Sequence, residues 1–93
     1  RISIHAFCEF PDTGAALQRA AADRRLSKAH LQVQLGGIAA AVEHYNGQVT
    51  PNLLIVETRL TGQEALAELD SLAEVCDPAT KVVVVGRVND VSL

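Results

Sequence analysis

Pro51-Asn52-Leu53-Leu54-Ile55-Val56-Glu57-Thr58-Arg59-Leu60-Thr61-Gly62 decides the fold of this chain. Residues 53–56 are continuously apolar, the mark of a parallel strand covered on both faces and so of a central strand. The run stops abruptly in one carboxylate, Glu57, and a short polar loop. An open α/β sheet keeps its working residues at the carboxyl ends of its strands, so Glu57 stands where such an architecture holds its chemistry. Thr61-Gly62-Gln63-Glu64 then reads as a capping box, opening a helix whose inward stripe is Leu66, Leu69, Leu72 and Ala73 and which Asp77-Pro78 stops. Val82-Val83-Val84-Val85 is a second continuous apolar run, predicted as another strand buried on both faces.

The same alternation of strand and helix extends toward the N-terminus. Ile2-Ser3-Ile4-His5-Ala6-Phe7 alternates enough for a strand, and Pro11-Asp12-Thr13 supplies turn and cap chemistry for a helix over roughly residues 13–25. Ala16, Leu17, Ala20 and Ala21 are its expected inward stripe, with Arg24 and Arg25 at its end, where positive charge suits the helix dipole. Leu31-Gln32-Val33-Gln34-Leu35 alternates strictly, as an edge strand does. Ile38, Ala41, Val42 and Tyr45 recur at helical spacing until Asn46-Gly47 closes that helix. Strands and helices alternating at this spacing predict a three-layer open parallel sheet in the order 2-1-3-4.

The bulk properties agree with one small α/β domain. The 93 residues carry a net charge of −3, and the only aromatic side chains are Phe7, Phe10 and Tyr45, so the core is built from Ala, Val, Leu and Ile. A chain of this charge has no general attraction for nucleic acid or anionic lipid. Cys8 and Cys76 show neither a C-x-x-C spacing nor a His at ligand spacing, and read as free thiols of a reducing cytoplasm. No apolar run approaches the roughly 20 residues that span a bilayer, so membrane insertion is not expected. His5 reads as a core histidine, His30 and His44 as surface residues. Arg19, Arg24, Arg25, Lys28 and His30 gather near one helix end, where a solvated surface is the plainer reading beside a docking patch for an acidic partner.

Ile4-His5-Ala6-Phe7-Cys8-Glu9, Pro51-Asn52-Leu53-Leu54-Ile55-Val56-Glu57-Thr58 and Val82-Val83-Val84-Val85-Gly86-Arg87-Val88-Asn89-Asp90 together resemble the N-terminal receiver-like domain of the TadZ/CpaE pilus-assembly family. More broadly, the chain resembles the receiver domains of bacterial response regulators, which have a flavodoxin-like fold. The resemblance implies a module that precedes a ParA/MinD-like ATPase and helps place the Tad (Flp, type IVb) pilus machinery at a cell pole. Its implied partners are that ATPase domain and other pilus-assembly components, with a second copy of the chain as an alternative. This sequence has no phosphate loop of its own. Asn89-Asp90-Val91-Ser92-Leu93 reads as the cap and first turn of a further helix, so residues 1–93 are expected to be one receiver-like domain lacking its last strand and helices.

The resemblance also says which residues a working receiver would need, and this chain departs from them. The phosphoacceptor position carries Glu57 in place of Asp, one methylene longer, which moves the attacking oxygen by more than the roughly 0.5 Å a preorganised site tolerates. The acidic pair expected after the first strand falls on Ala6, Phe7 or Cys8, leaving only Glu9 as a nearby carboxylate for Mg²⁺. The expected hydroxyl with Thr58 and Arg87 nearby is Gly86. Neither a cofactor nor a metal is therefore expected, and no catalytic residue is assigned.

Glu57 then has two readings. Its carboxylate either reaches toward where a phosphoryl group would lie and holds the loops in one state, or is a solvated strand-end charge paired with Arg59 or Arg87, the commoner arrangement. The predicted function is a non-catalytic interaction module of pilus assembly. The alternatives are a phosphorylatable receiver of two-component signalling and a small-molecule site in the same crevice.

Overall fold

In the computed structural model, which describes residues 2–22 and 28–86, the apolar run that begins at Leu53 is a central strand. The elements follow in the order β1 (Ile2–Cys8), α1 (Pro11–Ala21), β2 (Ala29–Leu35), α2 (Ile38–His44), β3 (Leu53–Thr58), α3 (Gly62–Val75) and β4 (Lys81–Gly86). All pairings are parallel and the strand order is β2-β1-β3-β4, as the sequence predicts. The chain passes from β1 to β2 on one side and then to β3 on the other. The topological switch point thus lies between β1 and β3, and the loops after these two strands share one crevice.

Side-chain alternation on β1 and β3 sorts the helices onto two faces. Phe7, Leu54 and Val56 point to one side and pack with Ile38, Ala41 and Tyr45 from α2 and the turn after it and with Leu72 of α3, forming the buried core. On the other side α1 crosses β1 and β2 closely enough that a Cβ on Gly14 would lie 3.0 Å from Val33 Cγ1. Any larger residue there would require the Val33 side chain to give way by a few tenths of an ångström.

Four local expectations are corrected. The valines of β4 are not covered on both faces: Val82, Val83 and Val84 are 38, 47 and 42% exposed, because β4 pairs with β3 alone and forms the second edge of the described sheet beside β2. In α3 the inward positions are Leu69, Leu72 and Val75, followed by Cys76 just past the helix end, while Leu66 is 57% exposed and Ala73 is exposed, a rotation of the helix by part of a turn. Thr61 is the N-cap of α3 by backbone conformation, yet its side chain makes no capping hydrogen bond. In α1 only Gly14 is buried, with Leu17 and Ala21 half-buried and Ala16 and Ala20 exposed. That helix starts two residues early because Pro11, with φ fixed and no N–H to lose, suits the first helical turn. Arg24, Arg25, Arg87 and the predicted helix start in residues 89–93 lie outside the described residues.

His5 lies beneath the core face, 3% exposed, with Nδ1 hydrogen-bonded to the Tyr45 hydroxyl and Nε2 without a hydrogen-bond partner. Its ring stacks at a tilt on Phe7, with centroids 4.3 Å apart, and meets His44 edge-on at 5.1 Å. Burial, and secondarily the charge on His44, push the His5 pKa below its ordinary value of 6.5, outweighing an opposing influence of Gln34. The folded state thus prefers His5 neutral. Its contribution to stability is complete above pH 6.5 and is lost as pH falls through the lowered folded-state value. Urea denaturation at pH 7.5 and 5.5 should show the protein losing stability at the lower pH, with His5→Phe removing part of that loss. Equal losses in both proteins would contradict this assignment.

Candidate functional site

The site is built where β3 ends against the loop leaving β1. Along β3 the even positions Leu54 and Val56 face the core under α2 and α3, so Glu57 points to the α1 side and toward the β1–α1 loop. It is 1% exposed, one of the largest fully buried side chains among the described residues. Oε1 accepts the backbone N–H groups of Glu9 at 2.9 Å and Phe10 at 3.0 Å, and Oε2 accepts the Thr13 hydroxyl at 2.6 Å. Two successive N–H groups aimed at one oxygen form an anion cradle, and the carboxylate fills it. Three of its roughly four acceptor positions are taken. The expectation of a solvated carboxylate paired with Arg59 or Arg87 is therefore corrected for Arg59: buried position and local donors, rather than a surface cation, define the surroundings of Glu57.

A second carboxylate runs the opposite way across the crevice. Glu9, on the β1–α1 loop, accepts the backbone N–H of Arg59 on the β3–α3 loop at 2.6 Å, and its other oxygen lies 3.9 Å from Arg59 Nε. The Arg59 side chain is 69% exposed, so the ion pair itself contributes little beside the backbone bond. The guanidinium stands 6.0 Å from the centre of the Phe10 ring. Room for Glu9 comes from Gly37, where a Cβ would sit 3.1 Å from the Glu9 side chain. Thr58, 5% exposed, folds its hydroxyl inward to accept the Leu60 N–H at 2.9 Å. The two loops are thus fastened in both directions, Glu57 onto the first and Glu9 onto the second.

The other predicted positions serve as its floor and wall. Ala6, Phe7 and Cys8 are each fully buried and bring no oxygen ligand to the crevice. Burial, followed by the Glu57 carboxylate, pushes the Cys8 thiol pKa up, which keeps it protonated and poorly nucleophilic. Gly86 pairs with Thr58 in the sheet register but presents no side chain. Sequence reasoning did not find Thr13 or the Glu9 and Phe10 amides. Thr13 carried a signal, since Pro11 sets it in the first turn of α1, but it was assigned to capping rather than to a distant carboxylate.

Mg²⁺, which a receiver-like fold implies, does not fit these residues. It asks for several free oxygens at near-octahedral angles, whereas both oxygens of Glu57 and one of Glu9 are engaged by N–H or O–H donors and Ala6, Phe7 and Cys8 at the end of β1 carry no side-chain oxygen. Among the described residues no three His, Cys, Asp or Glu side chains converge as a metal site. A depression of ≈ 160 Å³ at this end is bordered by Glu9, Gly37, Thr58, Arg59, Leu60 and Glu68. That is about half the lower limit for pockets that bury a small molecule. Among the described residues no helix is long and apolar enough to cross a membrane.

Solved structures resemble this chain over nearly its whole length. A pilus assembly protein CpaE from Caulobacter crescentus CB15 is 57% identical, with a TM-score of 0.91 over 98% of this chain and 74% of its own. A CpaE2 pilus assembly protein from Sinorhizobium meliloti 1021 is 39% identical, with a TM-score of 0.90 over 97% of this chain and 74% of its own. No protein-family model and no curated protein matches the chain.

The burial of Glu57 sets the cost of changing it. Glu57→Gln keeps the shape but removes charge from bonds to two amides and a hydroxyl, and should destabilise by about 1–2 kcal/mol. Glu57→Ala leaves all three donors without their acceptor and should cost about 3 kcal/mol or more. Denaturant titration of both variants measures this. A Glu57→Gln loss within about 0.5 kcal/mol, the value for an exposed side chain, would contradict the site as described.

Proposed function

Since the chain belongs to the TadZ/CpaE family of pilus-assembly proteins, we propose that it is a non-catalytic receiver-like module that acts in pilus assembly through contacts with other proteins. The observation that carries this reading is the engagement of Glu57. In a receiver that switches, an acyl phosphate and its metal rearrange the loops at the strand ends. In this chain a built-in carboxylate already occupies the anion cradle and fastens the loop after β1, and Glu9 fastens the loop after β3. The module therefore holds one loop arrangement without a phosphoryl donor. Its natural partners are an ATPase domain of the ParA/MinD type in the same protein and further components of the pilus machinery, and a polar position in the cytoplasm follows from that company.

Phosphoryl transfer to this position requires an oxygen free to attack and a set of oxygen ligands for a metal that gathers charge, and the hydrogen bonds held by Glu57 and Glu9 leave the crevice poor in both. Titration of the full-length protein with beryllofluoride and Mg²⁺, followed by amide spectra, distinguishes the proposal from a phosphorylatable receiver. The expected result is no saturable shift at Glu57, Thr58 or Gly86. Saturation at these amides with micromolar affinity would make the domain a phosphate-responsive switch and overturn the proposal.

A further inference from the structure

Adjoining the crevice at Ala39 and Glu68, α2 and α3 lie side by side over the core face and leave a groove between them of ≈ 330 Å³. Its floor is Ala39, Val42 and Ala67, whose small side chains cannot fill the space between two helix backbones. Its rim carries Glu43 on one side and Glu68 on the other. Ser71 turns its hydroxyl back to the Ala67 carbonyl at 3.3 Å, which leaves the side-chain amide of Asn46 as the neutral donor on the groove wall. Ala39, Ala67 and Ser71 are exposed, which makes the groove open and shallow, a shape that suits a rod laid along it rather than an enclosed small molecule.

The two helices that form this groove carry charge of one sign, with Arg59 standing at the end where the groove meets the strand-end depression. α2 and α3 contribute Glu43, Glu64, Glu68, Asp70 and Glu74 and contain no Lys or Arg. His44, the remaining titratable group of the two helices, has its ring against Tyr45 and His5 at 4.6 and 5.1 Å, away from the rim. Like charges across an interface cost several kcal/mol, so a second copy presenting the same face is disfavoured, and a cationic partner is favoured. At 1.5 Å per residue, the seven residues of α2 give a seat about 10 Å long, the length of about two turns of a docked helix.

We propose that this groove seats a basic amphipathic helix of another protein, with small or branched apolar side chains on the floor of Ala39, Val42 and Ala67 and Lys or Arg beside Glu43 and Glu68. The arrangement is helix-in-groove recognition with electrostatic selection of the partner. It rests on the reading of the domain as a protein-contact module and adds the surface and the chemistry of what binds there.

Site-specific photo-crosslinking tests it in the full-length protein, in cells assembling pili. A benzophenone side chain is placed at Asn46 or Ser71, on opposite rims, and at Gln18 on α1 as a control on the other face of the sheet. The proposal expects adducts from both rim positions and not from Gln18, in which the crosslinked peptide of a different protein has apolar residues at helical spacing flanked by Lys or Arg. Glu43→Lys combined with Glu68→Lys should cut the adduct roughly tenfold at unchanged protein level and unchanged thermal midpoint. The proposal is overturned by adducts joining two copies of the chain, by an acidic crosslinked segment, by indifference to charge reversal, or by no adduct at either rim. Adducts at Gln18 alone would reject the groove while leaving the contact-module reading in place. An absence of protein adducts at all three positions would count against both.

Discussion

The arrangement of this domain's strand ends depends on one buried carboxylate and the three donors that converge on it. Burying a carboxylate away from water is unfavourable unless hydrogen bonds replace the lost hydration, and here the replacement comes from the chain segment that immediately follows the first strand. Glu57 thus has a structural demand on the β1–α1 loop, because without the Glu9 and Phe10 amides and the Thr13 hydroxyl its position would not be tenable. The loop has the converse demand, since two neighbouring N–H groups outside any helix or strand need an acceptor. The extra methylene of Glu relative to Asp is what lets one side chain span from the third strand to that loop.

This mutual dependence bears directly on function. A domain that signals through the ends of its strands must have two loop arrangements of similar free energy, so that a ligand or a covalent group can choose between them. Bonds running from Glu57 to one loop and from Glu9 to the other bias the crevice toward one arrangement. Such a domain is better suited to presenting a constant surface than to reporting a phosphorylation state. The acidic groove between α2 and α3 belongs to that constant surface, since both helices are anchored on the core through Ile38, Ala41 and Leu72.

Much of this was legible in the sequence, and the exceptions share a cause. The element order, the central place of β3, the edge position of β2 and the burial of His5 follow from periodicity and apolar runs, which report local structure directly. The four valines of β4 promise cover on both faces, yet cover depends on what packs beside a strand and not on its own residues. Leu66 and Ala73 satisfy helical spacing as well as Val75 and Cys76 do, and only the tertiary contact chooses between the two stripes. Glu57 stands where the sequence places it, but the sequence leaves its surroundings open between a carboxylate that holds the loops and a solvated ion pair. Its partners lie 44 to 48 residues away in the chain, and two of them are backbone N–H groups, which leave no trace in residue identity.

The most direct measurement of the central claim is amide hydrogen exchange at Glu9 and Phe10, two loop N–H groups whose hydrogen-bond acceptor is the Glu57 carboxylate. In the unmodified protein both should exchange slowly, approaching the strand amide of Ala6, and in Glu57→Ala both should become fast relative to Ala6 while the amides of β3 keep their order of protection. Exchange at Glu9 and Phe10 as rapid as at the exposed Val49, with Glu57 intact, would contradict the account: the carboxylate would then not be holding the loop.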